Sequence, residues 1–267
     1  MDDSLVLVKQ EGAVRMLKLN RPTALNAFTT EMLAALLKAL NDAADNIQVR
    51  CVLITGAGRG FCAGQDLSDA AISPDFSPGA VPKDIGQLLR DYYVPLAKRI
   101  RSMPVPVVAA VNGVAAGAGA NFALGCDLVL AAKSASFIQA FSKIGLIPDC
   151  GGTWLLTRLV GRAQALSLAM LGDKLPAEEA QRIGMIYRCV ADEELATTAL
   201  EVANKLAAMP TKTLVQTRIA LDKAMGMSLD DALQAEVQMQ RELGLAYDYR
   251  EGCTAFLQKR SANYRDR

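Results

Sequence analysis

The chain has 267 residues, enough for one large core with a smaller appendage. Its 29 basic and 28 acidic residues nearly cancel and no basic block stands out, so neither nucleic acid nor an anionic membrane is the expected partner, and a small molecule is. There is no histidine, which excludes Ser-His-Asp and Cys-His nucleophiles and most catalytic zinc sites, and leaves acid–base work to carboxylates, Lys, Tyr, Cys or water.

In chain order, β-rich runs at 5–9 and 14–19 precede a helical pattern at 31–44 and a strand at 49–55. A second helix is predicted over 85–102. It is followed by a strand at 105–111, a helix of small residues at 118–124, and strands at 127–131 and 186–190. Strands alternating with crossover helices make an α/β architecture. Beyond Asp192 strand signals stop, and helices are predicted over 193–208, 211–225 and 229–247, the last continuing to Arg260. Pro210 stands where it can open a helix. Residues 72–83, with three prolines and Gly79, form the one loop long enough to wall a pocket.

The six cysteines contain no C-x-x-C pair and several lie in apolar runs, so they read as reduced thiols of a cytoplasmic protein. The opening Met-Asp-Asp-Ser-Leu lacks the basic-then-apolar order of a signal peptide, and no apolar run reaches the ~20 residues that span a bilayer.

Three stretches are unusual for core sequence. Gly56-Ala-Gly-Arg-Gly60-Phe61-Cys-Ala-Gly64-Gln65-Asp66-Leu67 is a glycine-dense loop directly after a strand; glycines there let backbone amides approach a ligand oxygen, although a plain strand-to-helix turn reads the same way. Val111-Asn112-Gly113 to Phe122 carries a strand into a helix through residues almost without side chains, and amides at a helix start are unsatisfied donors that favour an oxyanion. Its Gly117-x-Gly119 fits a dinucleotide fingerprint poorly, because Phe122 holds the third glycine position and no acidic residue ends a strand ~20 residues on. Ile144-Gly-Leu-Ile-Pro-Asp149-Cys-Gly-Gly-Thr-Trp154 sets one carboxylate in an otherwise uncharged stretch. An apolar setting raises such a carboxyl toward neutrality and makes it a competent base; an N-cap for a helix at 153–160 is the competing role.

Four motifs in order, Asn20-Arg-Pro…Ala24-Leu25-Asn26-Ala27, Phe61-Cys-Ala-Gly-Gln-Asp-Leu67, Val111-Asn-Gly…Gly-Ala-Gly119 and Gly145-Leu-Ile-Pro-Asp-Cys-Gly-Gly152, resemble the crotonase (enoyl-CoA hydratase/isomerase) superfamily over essentially the whole chain. The resemblance implies a crotonase-like spiral of ββα units in residues 1–195 and a helical trimerisation region in 196–267, assembled as a homotrimer or a dimer of trimers. It implies an acyl-CoA substrate, coenzyme A entering as part of that substrate, and no separate cofactor or metal. By motif position, the amides of Gln65 and Ala118 form an oxyanion hole for the thioester, and a hole of main-chain donors needs no particular side chain. Ala63, Gly64, Asp66, Leu67 and Ser68 then follow the pantetheine and pyrophosphate. Gly117 borders the hole, Ala24 and Leu25 lie near the adenine, and Phe256 and Lys259 match a pair that contacts CoA from an adjacent subunit.

The departures narrow the chemistry. Two glutamates serve the family's hydratases, and their positions hold Asn121 and Phe141, neither of which is a general base. Both remain candidate substrate contacts. Asp149 stands where the family's dienoyl-CoA isomerases and its aromatic dehalogenase carry an aspartate, and the dehalogenase also needs a histidine. The run 141–156, together with Gly184-Met185-Ile186, most resembles the family's isomerases of phenylacetate degradation, which turn a ring 1,2-epoxide into an oxepin and shift 3-enoyl to 2-enoyl thioesters. Asp149-mediated isomerisation of an acyl-CoA is therefore the expected activity. A conventional hydratase is the first alternative and a non-catalytic or RNA-binding relative the second; RNA binding would want a lysine-rich helix, and the helix at 31–44 contains only Lys38.

Overall fold

The computed structural model describes residues 4–75 and 77–267; the N-terminal reading at Met1–Asp3 and the loop reading at Phe76 lie outside them. The strands are β1 (Val6–Glu11), β2 (Val14–Leu19), β3 (Cys51–Gly56), β4 (Gly60–Cys62), β5 (Val107–Val111), β6 (Val114–Ala116), β7 (Leu128–Ala132), β8 (Ser136–Ile138), β9 (Lys174–Pro176) and β10 (Arg188–Val190). They form two sheets, ordered β1-β2-β3-β5-β7-β10 and β4-β6-β8-β9. Each long strand β3, β5 and β7 runs directly into a short one, β4, β6 or β8, which crosses to the second sheet, and the chain returns through helix. This is the α/β spiral of ββα units that the resemblance implies. The long strands pair in parallel, and β5 (Val-Val-Ala-Ala-Val) is buried at every position, as a parallel sheet covered on both faces requires.

Helix α1 (Thr30–Asp45) connects β2 to β3 and buries Met32, Leu33, Leu36 and Leu40, the helical spacing of its sequence; Thr29 caps it, accepting from Met32 N–H. The stacked corners of the spiral leave no room for side chains, since a Cβ on Gly113 would lie 2.1 Å from Arg59 O. Asn112 binds these corners together, accepting from Gly56 N–H at 3.0 Å and donating to Gly58 O at 2.9 Å. The Val-Asn-Gly motif is thus partly architectural.

The predicted helix 85–102 forms in three parts, α2 (Ile85–Leu88), a π-helical turn (Leu89–Tyr93) and α3 (Val94–Arg101). Then follow α4 (Ala118–Leu124), α5 (Gly152–Leu171, interrupted at Gly161), α6 (Ala177–Arg182) and α7 (Leu195–Ala207). Helix α7 packs on β3, β5 and β7, so helical cover of the sheet runs past residue 195 to Ala207. Beyond it, α8 (Thr211–Ala224) is tied to the core by the Arg218–Asp127 ion pair at 2.9 Å. The predicted helix over 229–260 breaks at Leu245 and Ala246 into α9 (Leu229–Gly244) and α10 (Tyr247–Leu257). Helix α9 buries no residue and leaves Leu229, Leu233 and Val237, spaced by four, facing outward. No helix of the described residues is long and apolar enough to cross a membrane.

Candidate active site

The first motif scaffolds the second. Asn26 is fully buried with φ 56°, donates to Ala57 O and Gly60 O at 2.9 and 2.8 Å, and accepts from Arg21 N–H at 2.8 Å. Arg21 in turn pairs with Asp66 at 2.9 Å. Segment 63–66 lies beside 25–28: Ala63 N–H donates to Leu25 O, Phe28 N–H to Gly64 O, and Asp66 N–H to Phe28 O. Phe28 thus bonds on either side of Gln65, and the Gln65 N–H points away with no partner among the described residues. Across from it, Ala118 is the first residue of α4, where an amide has no intrahelical acceptor. The two loops touch: a Cβ on Gly64 would lie 2.8 Å from Ala116 O and 3.6 Å from Ala118 N. Two unpaired amides from adjacent loops are what a thioester oxyanion needs.

They open on a cavity of about 170 Å³. Ala63, Gly64, Gln65, Leu67, Gly117, Ala118, Phe141 and Asp149, eight of the residues singled out in the sequence, line it. Tyr93, Ile72, Ile85, Leu88, Leu89, Ala140, Ile144 and Leu146 complete the wall, and apart from Tyr93 these are apolar. Asp149 is its one carboxylate, and burial in this apolar wall pushes it up to about 7, against a smaller lowering by its own backbone N–H. Its Oδ1 is buried without a hydrogen-bond partner among the described residues. It does not cap α5, whose N-cap is Gly151 and receives no side-chain bond. A larger cavity of about 620 Å³ lies behind the Cys150–Gly151 turn, but its only carboxylate, Asp222, is paired with Arg101.

The remaining sequence candidates stand elsewhere. Ala24 and Leu25 are half-buried beside the Ala63 loop, and Asp66 and Ser68 are locked together, Ser68 donating to Asp66 through N–H and Oγ–H. Phe256 is 83% exposed at the end of α10, and Lys259 lies past that helix with φ 52°; neither lines the cavity.

Asn121 sits under the cavity, not in its wall. Fully buried, it donates to Asp149 O at 2.9 Å and accepts from the Gln139 amide at 2.8 Å. Gly152 leaves space for it, since a Cβ there would lie 2.1 Å from Asn121 Nδ2. The residue at the first glutamate position therefore clamps the loop that carries Asp149. Replacing Asn121 with Ala strands the buried Gln139 amide and leaves Asp149 O only its bond from Gly152 N–H, and a stranded buried group costs ~1–3 kcal/mol. Urea denaturation is expected to show a loss of ~2–4 kcal/mol, whereas a solvated Asn would give almost none.

Sequence reasoning missed Tyr93 and the π-turn that carries it. Pro95 was the available signal, because a proline in a helix interior lacks the N–H that would bond back to Asp91 O.

The Enoyl-CoA hydratase/isomerase family pattern matches residues 9–267. The chain is 51% identical over 259 residues, 97% of each protein, to the 1,2-epoxyphenylacetyl-CoA isomerase of Escherichia coli. It is 33% identical over 264 residues, 99% of this chain and 100% of the relative, to the 2,3-dehydroadipyl-CoA hydratase of the same organism. The crystal structure of an enoyl-CoA hydratase from Bacillus anthracis superposes with a TM-score of 0.88 at 30% identity, covering 99% of this chain and all of the other. With a matching spiral, two unpaired amides at its paired loops and the family pattern running almost end to end, the chain belongs to the enoyl-CoA hydratase/isomerase family.

Proposed function

We propose that this protein isomerises an acyl-CoA thioester with Asp149 as its acid and base. The observation that carries this reading is the single carboxyl of an apolar cavity, its Oδ1 without a partner among the described residues, beside two free amides, with Asn121 and Phe141 at the positions where hydratases hold their glutamates. With a 3-enoyl thioester, the Asp149 carboxylate removes a C2 proton and the electrons flow into the thioester carbonyl. The resulting dienolate oxygen accepts from the N–H groups of Gln65 and Ala118. Protonated Asp149 then delivers its proton to C4, the double bond rests between C2 and C3, and the carboxylate is restored. The 51% identical relative favours ring 1,2-epoxyphenylacetyl-CoA as a further substrate, converted to the oxepin. Coenzyme A enters as part of the substrate. Assembly as a homotrimer or a dimer of trimers, which would cover the apolar face of α9, belongs to the same reading, and the six free thiols favour a reducing, cytoplasmic setting.

The test is a panel of 3-hexenoyl-, crotonyl- and epoxyphenylacetyl-CoA with products identified by mass spectrometry and NMR. Double-bond transposition without water addition is expected; hydration of crotonyl-CoA faster than any isomerisation overturns the reading. Because the base form of Asp149 starts the reaction and its carboxyl sits at about 7, kcat/KM is expected to rise tenfold per pH unit below about 7 and level off above it.

A further inference from the structure

The Tyr93 hydroxyl donates to Gln65 Oε1 at 2.6 Å, and Tyr93 is 1% exposed. A π-turn puts it there: Val94 N–H bonds to Leu89 O five residues back, which widens the turn just before Pro95 and brings Leu88, Leu89 and Tyr93 to the cavity wall. π-turns are rare and concentrate at functional sites. The phenol is held in its donor form, since burial, reinforced by the nearby Asp149 charge, pushes it well above its ordinary range.

Gln65 follows Gly64, whose φ of 92° and missing Cβ leave the intervening peptide weakly restrained by its own backbone. Two aromatic residues supply the restraint. Phe28 holds the main chain on either side of Gln65, and Tyr93 holds its side chain. The rings of Phe28 and Tyr93 pack edge to face at 6.3 Å, which makes one brace of the two.

We infer that Tyr93 is a positioning residue that acts through the Gln65 side chain to aim the Gln65 backbone N–H at the substrate oxyanion. The inference rests on the oxyanion role proposed above for that amide. Oxyanion donors work within tolerances of ~0.5 Å, so a loosened Gln65 weakens the transition-state contact more than ground-state binding.

Tyr93→Phe keeps the ring and removes the hydroxyl. Its kcat is expected to fall ~10-fold with KM within ~2-fold of wild type and an unchanged pH profile. Gln65→Leu keeps the amide and removes the acceptor together with the 3.4 Å bond from Gln65 Nε2 to Asp66 O, so it is expected to lose at least as much as Tyr93→Phe, and the double variant to lose no more than Gln65→Leu alone. Additive losses would mean that Tyr93 reaches the substrate itself and would overturn the inference, as would an unchanged kcat. If Tyr93→Phe unfolds, Gln65→Leu reads the same contact, and wild-type kcat in that variant also overturns it.

A second readout uses [1-13C]phenylacetyl-CoA bound to the Asp149→Asn protein, with and without Tyr93→Phe. A polarised carbonyl resonates downfield of its position in water, and Tyr93→Phe is expected to return part of that shift. An equal shift in both proteins overturns the role of Tyr93 and leaves the oxyanion hole standing; no shift in either removes the hole itself.

Discussion

Asp149→Asn is expected to lower isomerisation by ~10²–10⁴-fold while leaving acyl-CoA affinity nearly unchanged. The amide fills the same volume, keeps the main-chain bonds of Asp149 O to Asn121 and Gly152, and lacks only the capacity to take and return a proton. The same change should stabilise the protein, because an apolar wall that lifts a carboxyl to about 7 penalises its charged form. The sign is set by the folded value lying above the unfolded one. Below about 4 both states hold the proton and the penalty is absent. Between about 4 and 7 only the folded state holds it, so stability falls as pH rises. Above about 7 the charge stands in the wall and the whole penalty applies. Urea denaturation is expected to find Asp149→Asn more stable by ~2–4 kcal/mol at pH 8 and equal to wild type near pH 4. Near-wild-type turnover would remove Asp149 as the base, and equal stability at pH 8 would mean that the carboxyl is solvated.

Gly64→Ala is expected to cost ~2–3 kcal/mol of stability and at least ~10²-fold in kcat/KM. A backbone φ of 92° strains any L side chain, and the added methyl would stand 2.8 Å from Ala116 O, in the seam between the two amide-bearing loops. Relief comes only by parting those loops, which separates the Gln65 and Ala118 donors. Gly12→Ala is the control: φ is 56° there and nothing lies within 4 Å of the new methyl. It should cost ~1 kcal/mol and leave turnover intact. Equal kinetic losses in both would mean that strain, not loop separation, governs activity.

The long strands were legible because Val-Val-Ala-Ala-Val and Cys-Val-Leu-Ile-Thr are unbroken apolar runs of strand length. The second sheet was not, since Gly60–Cys62, Val114–Ala116, Ser136–Ile138 and Lys174–Pro176 span three residues each and no periodicity can be read from three. In the site, the main-chain donors and Asp149 announced themselves through glycines and an isolated acid. Tyr93 did not, because where its ring points depends on one extra residue in a helical turn. Asn121 was noticed for the glutamate it lacks, and its grip on Asp149 O depends on a contact across 28 residues. Phe256 shows a further gap: an apolar residue on a helix usually faces a core, and this one is exposed in the single chain.

The clamp at Asn121 also restricts how the sequence can change. Its side chain occupies the place of a Gly152 methyl, ties down the loop behind Asp149 and has no contact with solvent. A glutamate at 121 would be longer, charged and unable to donate to the Asp149 carbonyl, so the loop would keep the Gly152 bond and lose its side-chain clamp. A glutamate there would need matching changes at Gln139, which donates to the Asn121 carbonyl, and at Gly152, whose missing methyl gives the side chain its room.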